Sequence, residues 1–320
     1  LIRAHERIVL ACHIAPDGDA IGSLLGLGCT LEQLGKAVAL LCDDDLPHKL
    51  LFLPGSERIC RAVPDGFTPT LLVALDSSDP ERLGSASQFL LNGSLHVLNL
   101  DHHITNVNFG TVDLVLPACT STAEVVMHLI DALGAPIDEV AAVGLLAGIV
   151  TDTQVFSTSN VTPATLEAAS RLMAVGANLH YVINMAYNRH SLAALQLWGI
   201  GLTNMQFENG ILWTALSQDA RQMAGLTKVS DRGLSSLLLS AEEANLAVVF
   251  KEKLDGRVEL SLRARPGYVI ASVALALGGG GHPLAAGATI DGPLDEAIQR
   301  VLTMLREQAQ DASNRSVPHP

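Results

Sequence analysis

Apolar residues fall along this chain in two spacings. Short continuous apolar runs alternate with longer stretches of helical period, and most runs end in acidic or imidazole side chains. Residues 7–13 and 36–42 read as strands, separated by a helix over 20–34 that Gly35 closes. Strand, helix and strand in that order make a βαβ unit, which implies parallel pairing and a right-handed crossover. Residues 70–75 and 95–100 are further strands. Their unbroken apolar character predicts a sheet buried on both faces by helices. Residues 120–133 and 138–150 follow as apolar helical segments split by Gly134, Ala135 and Pro136. Thr162-Pro163 then starts a helix that Gly176 stops.

From about Tyr187 the texture changes. Residues 189–205 look helical, and residues 211–216, 246–251 and 257–263 alternate as strands. Asp255-Gly256 between the last two predicts a type I′ hairpin turn. A glycine-rich turn over 278–281 and a last helix over 294–308 complete the pattern. The expected organisation is α/β throughout. A parallel-sheet unit spans residues 1–186, a linker helix 187–206 and a smaller α/β unit 207–310, before a disordered tail over 311–320.

Composition supports a mostly buried aliphatic sheet, since 48% of residues are hydrophobic and only 4% aromatic. No apolar run has the length of a bilayer span, so no membrane partner is expected. The first residues carry no signal-peptide pattern and no Met, so the natural N-terminus is expected upstream. Cys12, Cys29, Cys42, Cys60 and Cys119 form no C-x-x-C pair and read as reduced thiols of a cytoplasmic protein. The net charge of −13 is uneven: residues 1–185 hold 8 basic and 20 acidic side chains, and residues 186–310 hold 11 and 12. Neither half offers the extended basic surface that long duplex nucleic acid needs. A small or short anionic substrate fits only if metal supplies positive charge.

The polar residues that interrupt the apolar runs carry the chemistry. His13, Asp17 and Asp19 lie at the end of the first strand and in the turn opening the helix. Two carboxylates two residues apart in one turn repel unless a cation sits between them, although either could simply cap the helix. Asp76 follows an apolar strand and Asp152 an apolar helix. A turn or a solvated loop explains each taken alone. Asp101-His102-His103 at a buried strand's mouth is harder to explain structurally. Together Asp17, Asp19, Asp76 and Asp152 bring four negative charges, which two divalent cations cancel. Mixed carboxylate and imidazole donors suit Mn²⁺ or a similar first-row ion, with Mg²⁺ or Co²⁺ as substitutes. Gly278 to Gly281 with His282, and Arg263 and Arg265 upstream, suit an anion, or else a flexible turn before Pro283.

The order of these motifs resembles the DHH phosphoesterase superfamily with its DHHA1 C-terminal domain, from about residue 5 to residue 308. Within it, the chain looks most like the bifunctional oligoribonuclease and 3′,5′-bisphosphate nucleotide phosphatase branch. The resemblance implies a two-Mn²⁺ hydrolase with its site in a cleft between the lobes. It implies that His13, Asp17 and Asp76 hold one metal, and that Asp19, Asp76, His102 and Asp152 hold the other. His103 would face the substrate phosphate and Asp101 would orient a histidine. Arg263, Gly279, Gly280, Gly281 and His282 would grip the substrate. One departure stands out: the family's Asp-Thr-Gly-x-Phe-Arg reads Asp152-Thr153-Gln154-Val155-Phe156-Ser157 here.

The expected activity is therefore Mn²⁺-dependent hydrolysis of short single-stranded RNA or of 3′-phosphoadenosine 5′-phosphate. The alternatives are a cyclic- or linear-dinucleotide phosphodiesterase, a pyrophosphatase (for which lysine is scarce), and a metal-stabilised nucleotide-binding regulator without turnover. The apolar composition is also compatible with a homodimer.

Overall fold

Five parallel strands in the order β2-β1-β3-β4-β5 form the first sheet of the computed structural model, which describes residues 1–91, 93, 95–225 and 233–315. They are β1 (Arg7–Cys12), β2 (Ala37–Leu41), β3 (Leu71–Leu75), β4 (His96–Asp101) and β5 (Val112–Val115). Strands β1, β3 and β4 are neighbours with an unbroken register, Ile8 opposite Leu71 and Leu71 opposite His96. The carboxyl ends of the three central strands therefore lie side by side. The sheet reverses its strand order between β1 and β3, the place where open α/β sheets hold their ligands.

One face of this sheet packs against α1 (Gly18–Gln33), α3 (Thr122–Leu133), α4 (Glu139–Asp152), α5 (Pro163–Val175) and α6 (Leu179–Ile183). The other carries a thinner cover, in which Leu83, Ala86 and Phe89 of a 3₁₀ segment and the short α2 (Gln88–Leu91) meet Val9, Ala74 and Val97. Helices α1 and α4 touch backbone to backbone. A Cβ on Gly22 would fall 2.2 Å from the carbonyl oxygen of Gly144. That approach, which no larger residue allows, brings the start of α1 against the end of α4.

The chain divides into two units, Leu1–Arg189 and His190–Pro320. The second holds a six-stranded mixed sheet in the order β10-β11-β9-β8-β7-β6. Its strands are β6 (Gln206–Glu208), β7 (Ile211–Leu216), β8 (Leu246–Glu252), β9 (Val258–Ala264), β10 (Gly280–His282) and β11 (Ala285–Ile290). One face packs on α10 (Ala271–Ala276) and α11 (Leu294–Arg315). The opposite face meets α7 (Leu192–Thr203), α8 (Gln218–Met223) and α9 (Leu234–Leu239). Among the described residues no helix is long and apolar enough to cross a membrane.

Several sequence expectations change. The helix expected to link the units packs as part of the second, with Leu197 fully buried in that core. The β8–β9 hairpin forms, but its turn is not type I′, because Gly256 has φ +80° while Asp255 is absent from the positive-φ residues. The Lys253 carbonyl accepts from the Gly256 amide at 3.0 Å, a type I turn followed by a left-handed glycine. The glycine-rich stretch is only partly a turn: Gly280 to His282 form the edge strand β10, which gains its backbone pairing from β11. Strands β5, β6 and β11 had no clear apolar signal, being short, exposed or rich in alanine and glycine. The last helix runs on to Arg315, so the tail is not irregular from residue 311, and residues 316–320 of the expected disordered tail lie outside the described residues.

Candidate metal centre

Strand ends supply most of this site, because a parallel sheet exhausts its backbone hydrogen bonds internally and leaves side chains to the loops beyond. His13 follows β1, Asp76 follows β3, and Asp101, His102 and His103 close β4. Asp17 is the N-cap of α1, its Oδ1 accepting from the amides of Asp19 and Ala20 at 3.1 Å each. The capping role and a ligand role are thus compatible, since Asp17 Oδ1 also lies 3.8 Å from His13 Nε2. Asp19 sits in the first turn of α1, and Asp152 ends α4 rather than following it.

Asp76 is central. Its Oδ2 lies 3.4 Å from His13 Nε2, and its Oδ1 lies 3.8 Å from His102 Nε2 and 3.6 Å from His103 Nδ1. The residue is held at φ +56°, a left-handed conformation that costs a non-glycine residue about 1–2 kcal/mol. His102 Nε2 stands 3.1 Å from Asp152 Oδ2 and 4.0 Å from Asp19 Oδ2. Two sets of donor atoms emerge, each with all atoms within 4.8 Å: His13, Asp17 and Asp76, and Asp19, His102 and Asp152. Asp76 also groups with Asp101, His102 and His103. The side chains named from the sequence for this centre are therefore brought together.

Electrostatics show how uneasy this arrangement is when only protons balance it. Burial pulls the His13 imidazole down, but Asp17 and Asp76 outweigh it and push it up to about 10. His102 is likewise lowered by burial yet raised to about 10 by Asp152, Asp19 and Asp76. Burial raises the Asp17 carboxyl, but His13 holds it well below the usual carboxylate range. Burial, then the charges of Asp76 and Asp152, pushes Asp19 well up. Asp152 rises to about 6, burial outweighing the pull of His102. His102 Nε2 is buried with no hydrogen-bond partner among the described residues, although carboxylate oxygens surround it. A deprotonated His102 ring would present Nε2 to this ring of hard oxygen donors, the mixed donor set that suits a first-row divalent cation. The residues fit the metal that the donor chemistry implies.

Sequence reasoning missed the groups that hold these ligands. The α3 N-terminus delivers the Thr122 and Ala123 amides to Asp19 at 2.6 and 2.9 Å, and the Thr122 hydroxyl to Asp76 Oδ1 at 2.9 Å. The Ser-x-x-Glu pattern of Ser121 to Glu124 marks that helix start and was the available signal. Asn106 donates to Asp101 Oδ2 at 2.6 Å, and Asp101 Oδ1 receives the His103 ring at 2.7 Å. The Tyr187 hydroxyl donates to the Thr151 carbonyl at 2.7 Å, beside Asp152.

Beyond Asp152 the chain makes a left-handed turn. Gln154, Val155 and Phe156 have φ values of +46°, +60° and +60°. Gln154 thus stands in the conformation that the family's glycine would take without strain. Ser157 Oγ donates to the Gln154 carbonyl at 2.5 Å, so its hydroxyl closes the turn locally.

The residues expected to bind substrate lie in the second unit. Arg263 on β9 faces Ala285 on β11, and Ala285 faces His282 on β10. Directly opposed residues share a sheet face, so Arg263 and His282 stand in one row on one face. Arg263 Nη1 donates to its neighbour's carbonyl at 2.9 Å, while its buried Nε has no hydrogen-bond partner among the described residues. A Cβ at Gly279 would fall 2.1 Å from the Gly287 carbonyl and one at Gly281 2.5 Å from the Ala285 carbonyl. Those two glycines are needed for strand packing. Gly280, by contrast, meets nothing within 4 Å.

Comparison with known proteins accords with this geometry. The DHH family N-terminal domain matches residues 7–149 and the DHHA1 domain matches residues 217–311. The chain is similar to the bifunctional oligoribonuclease and PAP phosphatase NrnA of Thermus thermophilus, at 39% identity over 94% of this chain and 90% of that protein. The protein of the same name from Bacillus subtilis is 27% identical over 90% of this chain and 91% of its own length. In fold it matches the crystal structure of an exopolyphosphatase-related protein from Bacteroides fragilis, with a TM-score of 0.91 and 24% identity, over 98% of this chain and 95% of that one. The chain belongs to the DHH family, with a DHHA1 domain in its second unit.

Proposed function

We propose that this protein is a Mn²⁺-dependent phosphoesterase that hydrolyses short single-stranded oligoribonucleotides and 3′-phosphoadenosine 5′-phosphate. The observation that carries the reading is Asp76, whose two oxygens serve two separate groups of imidazole and carboxylate donors at adjacent strand ends. A pair of ions held by His13, Asp17 and Asp76, and by Asp19, Asp76, His102 and Asp152, would supply Lewis acidity toward a phosphoryl oxygen and a more acidic water. The protein's own groups do the rest. His103 keeps its Nδ1–H on Asp101, so it holds or releases a proton at Nε2 toward a phosphate oxygen. Asp101 carries the compensating negative charge. In the second unit, Arg263, His282 and the backbone of Gly279, Gly280 and Gly281 bind the rest of the nucleotide. The high identity to an oligoribonuclease and PAP phosphatase supports the substrate class.

The test is phosphate release from 3′-phosphoadenosine 5′-phosphate alongside cleavage of di- to pentaribonucleotides, with Mn²⁺, Mg²⁺ or Co²⁺ added to metal-stripped protein. Turnover of both substrates is expected, fastest with Mn²⁺. Hydrolysis of cyclic or linear dinucleotides alone would move the chain to the phosphodiesterase alternative, and tight nucleotide binding without turnover would make it a binding protein. The same reading includes a cytoplasmic setting and a homodimer, the latter checked by light scattering.

A further inference from the structure

We infer that Asn106 is a positioning residue for His103, acting through Asp101; the inference rests on the phosphoesterase reading above. Asp101 is fully buried, and each of its oxygens has its own donors. Oδ1 accepts from the His103 ring at 2.7 Å and from the His102 and His103 amides at 2.8 and 3.2 Å. Oδ2 accepts from Asn106 Nδ2 at 2.6 Å.

The amide of Asn106 is itself fixed. Nδ2 also donates to the Ser77 carbonyl at 3.1 Å. Its Oδ1 accepts from the Asn108 amide at 2.7 Å and from Asn99 Nδ2 at 3.0 Å. Two acceptors on the nitrogen and two donors on the oxygen leave the group one orientation. Asn99 is fully buried on β4 and donates on to Asp113 Oδ1 at 3.1 Å, which also accepts the Gly110 amide at 2.9 Å. A chain of side chains thus runs from β5 through Asn99 and Asn106 to Asp101 and ends on the His103 ring.

The consequence is orientational. A carboxylate tied through one oxygen swivels about its Cβ–Cγ bond, whereas one tied through both does not. With Asp101 locked, the His103 ring is held through Nδ1 in one orientation and presents Nε2 in one direction. Asn106 also joins the loop after β3, through Ser77, to the loop after β4. With the Val107 amide, which donates to the Ser78 carbonyl at 2.9 Å, it ties the two loops together, and its own backbone amide donates to the His103 carbonyl at 3.1 Å.

Two variants test this. Asn106→Ala removes the donor; Asn106→Asp keeps the volume but sets a carboxylate oxygen against Asp101 Oδ2, which covers a folding defect in the first. Nuclear magnetic resonance of ¹⁵N-histidine in Mg²⁺-loaded protein reads the His103 Nδ1–H directly. The expected result is an exchange-protected Nδ1–H in the parent protein that is lost in both variants. With it, kcat falls about 10–100-fold, KM stays within about twofold and metal content is unchanged. Retention of the protected Nδ1–H with parental kcat overturns the inference. So does loss of metal in both variants, which would make Asn106 a support of the ligand set instead. If the parent hydrolyses no nucleotide, the proposed function fails, while the resonance comparison still decides the role of Asn106.

Discussion

The carboxyl edge of the first sheet and the row of Arg263 and His282 on the second are built on opposite principles. At the first, acids and imidazoles from five places are gathered together, with Asp19, Asp76 and Asp101 all at 2% exposure or less. They are over-provided with partners: Asp19 alone takes two helix amides at 2.6 and 2.9 Å and the Ser23 hydroxyl at 3.3 Å. At the second, one arginine holds an unpartnered Nε in a row that ends on an exposed edge strand. Its burial lowers the guanidinium's affinity for its proton. The first region gathers negative charge, and the second holds a buried guanidinium. Under the proposed function, metal binding would fall to the first unit and substrate binding to the second.

The largest expected effect comes from breaking the first region at its centre. Asp76→Ala should remove both ions and lower kcat by on the order of a thousandfold or more, since several kcal/mol of charge stabilisation is lost. Elemental analysis and initial rates check it. Changing the second region should act differently. His282→Ala is expected to lower kcat/KM by about 10–100-fold, the size of one charge-assisted hydrogen bond, with Mn²⁺ content at the parental level. Metal loss in that variant would erase the distinction between the two regions.

Geometry behind the first region can be disturbed without touching a ligand. Gly22→Ala places a methyl group 2.2 Å from the Gly144 carbonyl and must push α1 from α4. A stability loss of about 1–3 kcal/mol is expected by thermal unfolding, with weaker metal binding because Asp19 and Asp152 part.

Proton occupancy sharpens the contrast further. His13 and His102 are raised to about 10 in the folded protein, well above the 6.5 of an ordinary histidine. Their contribution to metal-free stability is complete below pH 6.5 and is lost as pH rises through about 10. Asp152, raised to about 6, adds a loss of the same sign as pH rises from the ordinary carboxylate value through its own. Melting curves of chelator-treated protein should therefore fall with pH over this range, and Mn²⁺ should flatten them, because metal replaces the protons. A chelated protein whose stability climbs with pH would contradict the charge account.

The smallest effect is expected at Gln154. Glycine there relieves a left-handed conformation, worth about 1 kcal/mol, partly offset by the greater freedom of the unfolded chain. A rise of a few degrees at most in Tm is expected for Gln154→Gly.

Much of this was legible in residue order alone. The four parallel strands β1 to β4 follow from unbroken apolar runs, because a strand buried on both faces has no polar positions to show. The donors of the metal centre were legible for a related reason. His13, Asp76 and Asp101 to His103 interrupt apolar runs where a strand must end, and buried charge there has little purely structural use. What residue order left open is which donors lie beside which, because the strand order β2-β1-β3-β4-β5 alone places β3, and so Asp76, between the ends of β1 and β4. It left open, too, the role of Gly22 and Gly144, whose meaning exists only where two helices cross. Thr122 and Asn106 were invisible for the same reason: each is an ordinary polar residue whose value lies in a partner 46 or 5 residues away. The sequence by itself determined strands β1 to β4, the longer helices and the donor types, since those depend on local periodicity and side-chain chemistry. Only the tertiary structure decided which donor side chains come together and which groups orient them, since hydrogen bonds between separate segments leave no periodic trace.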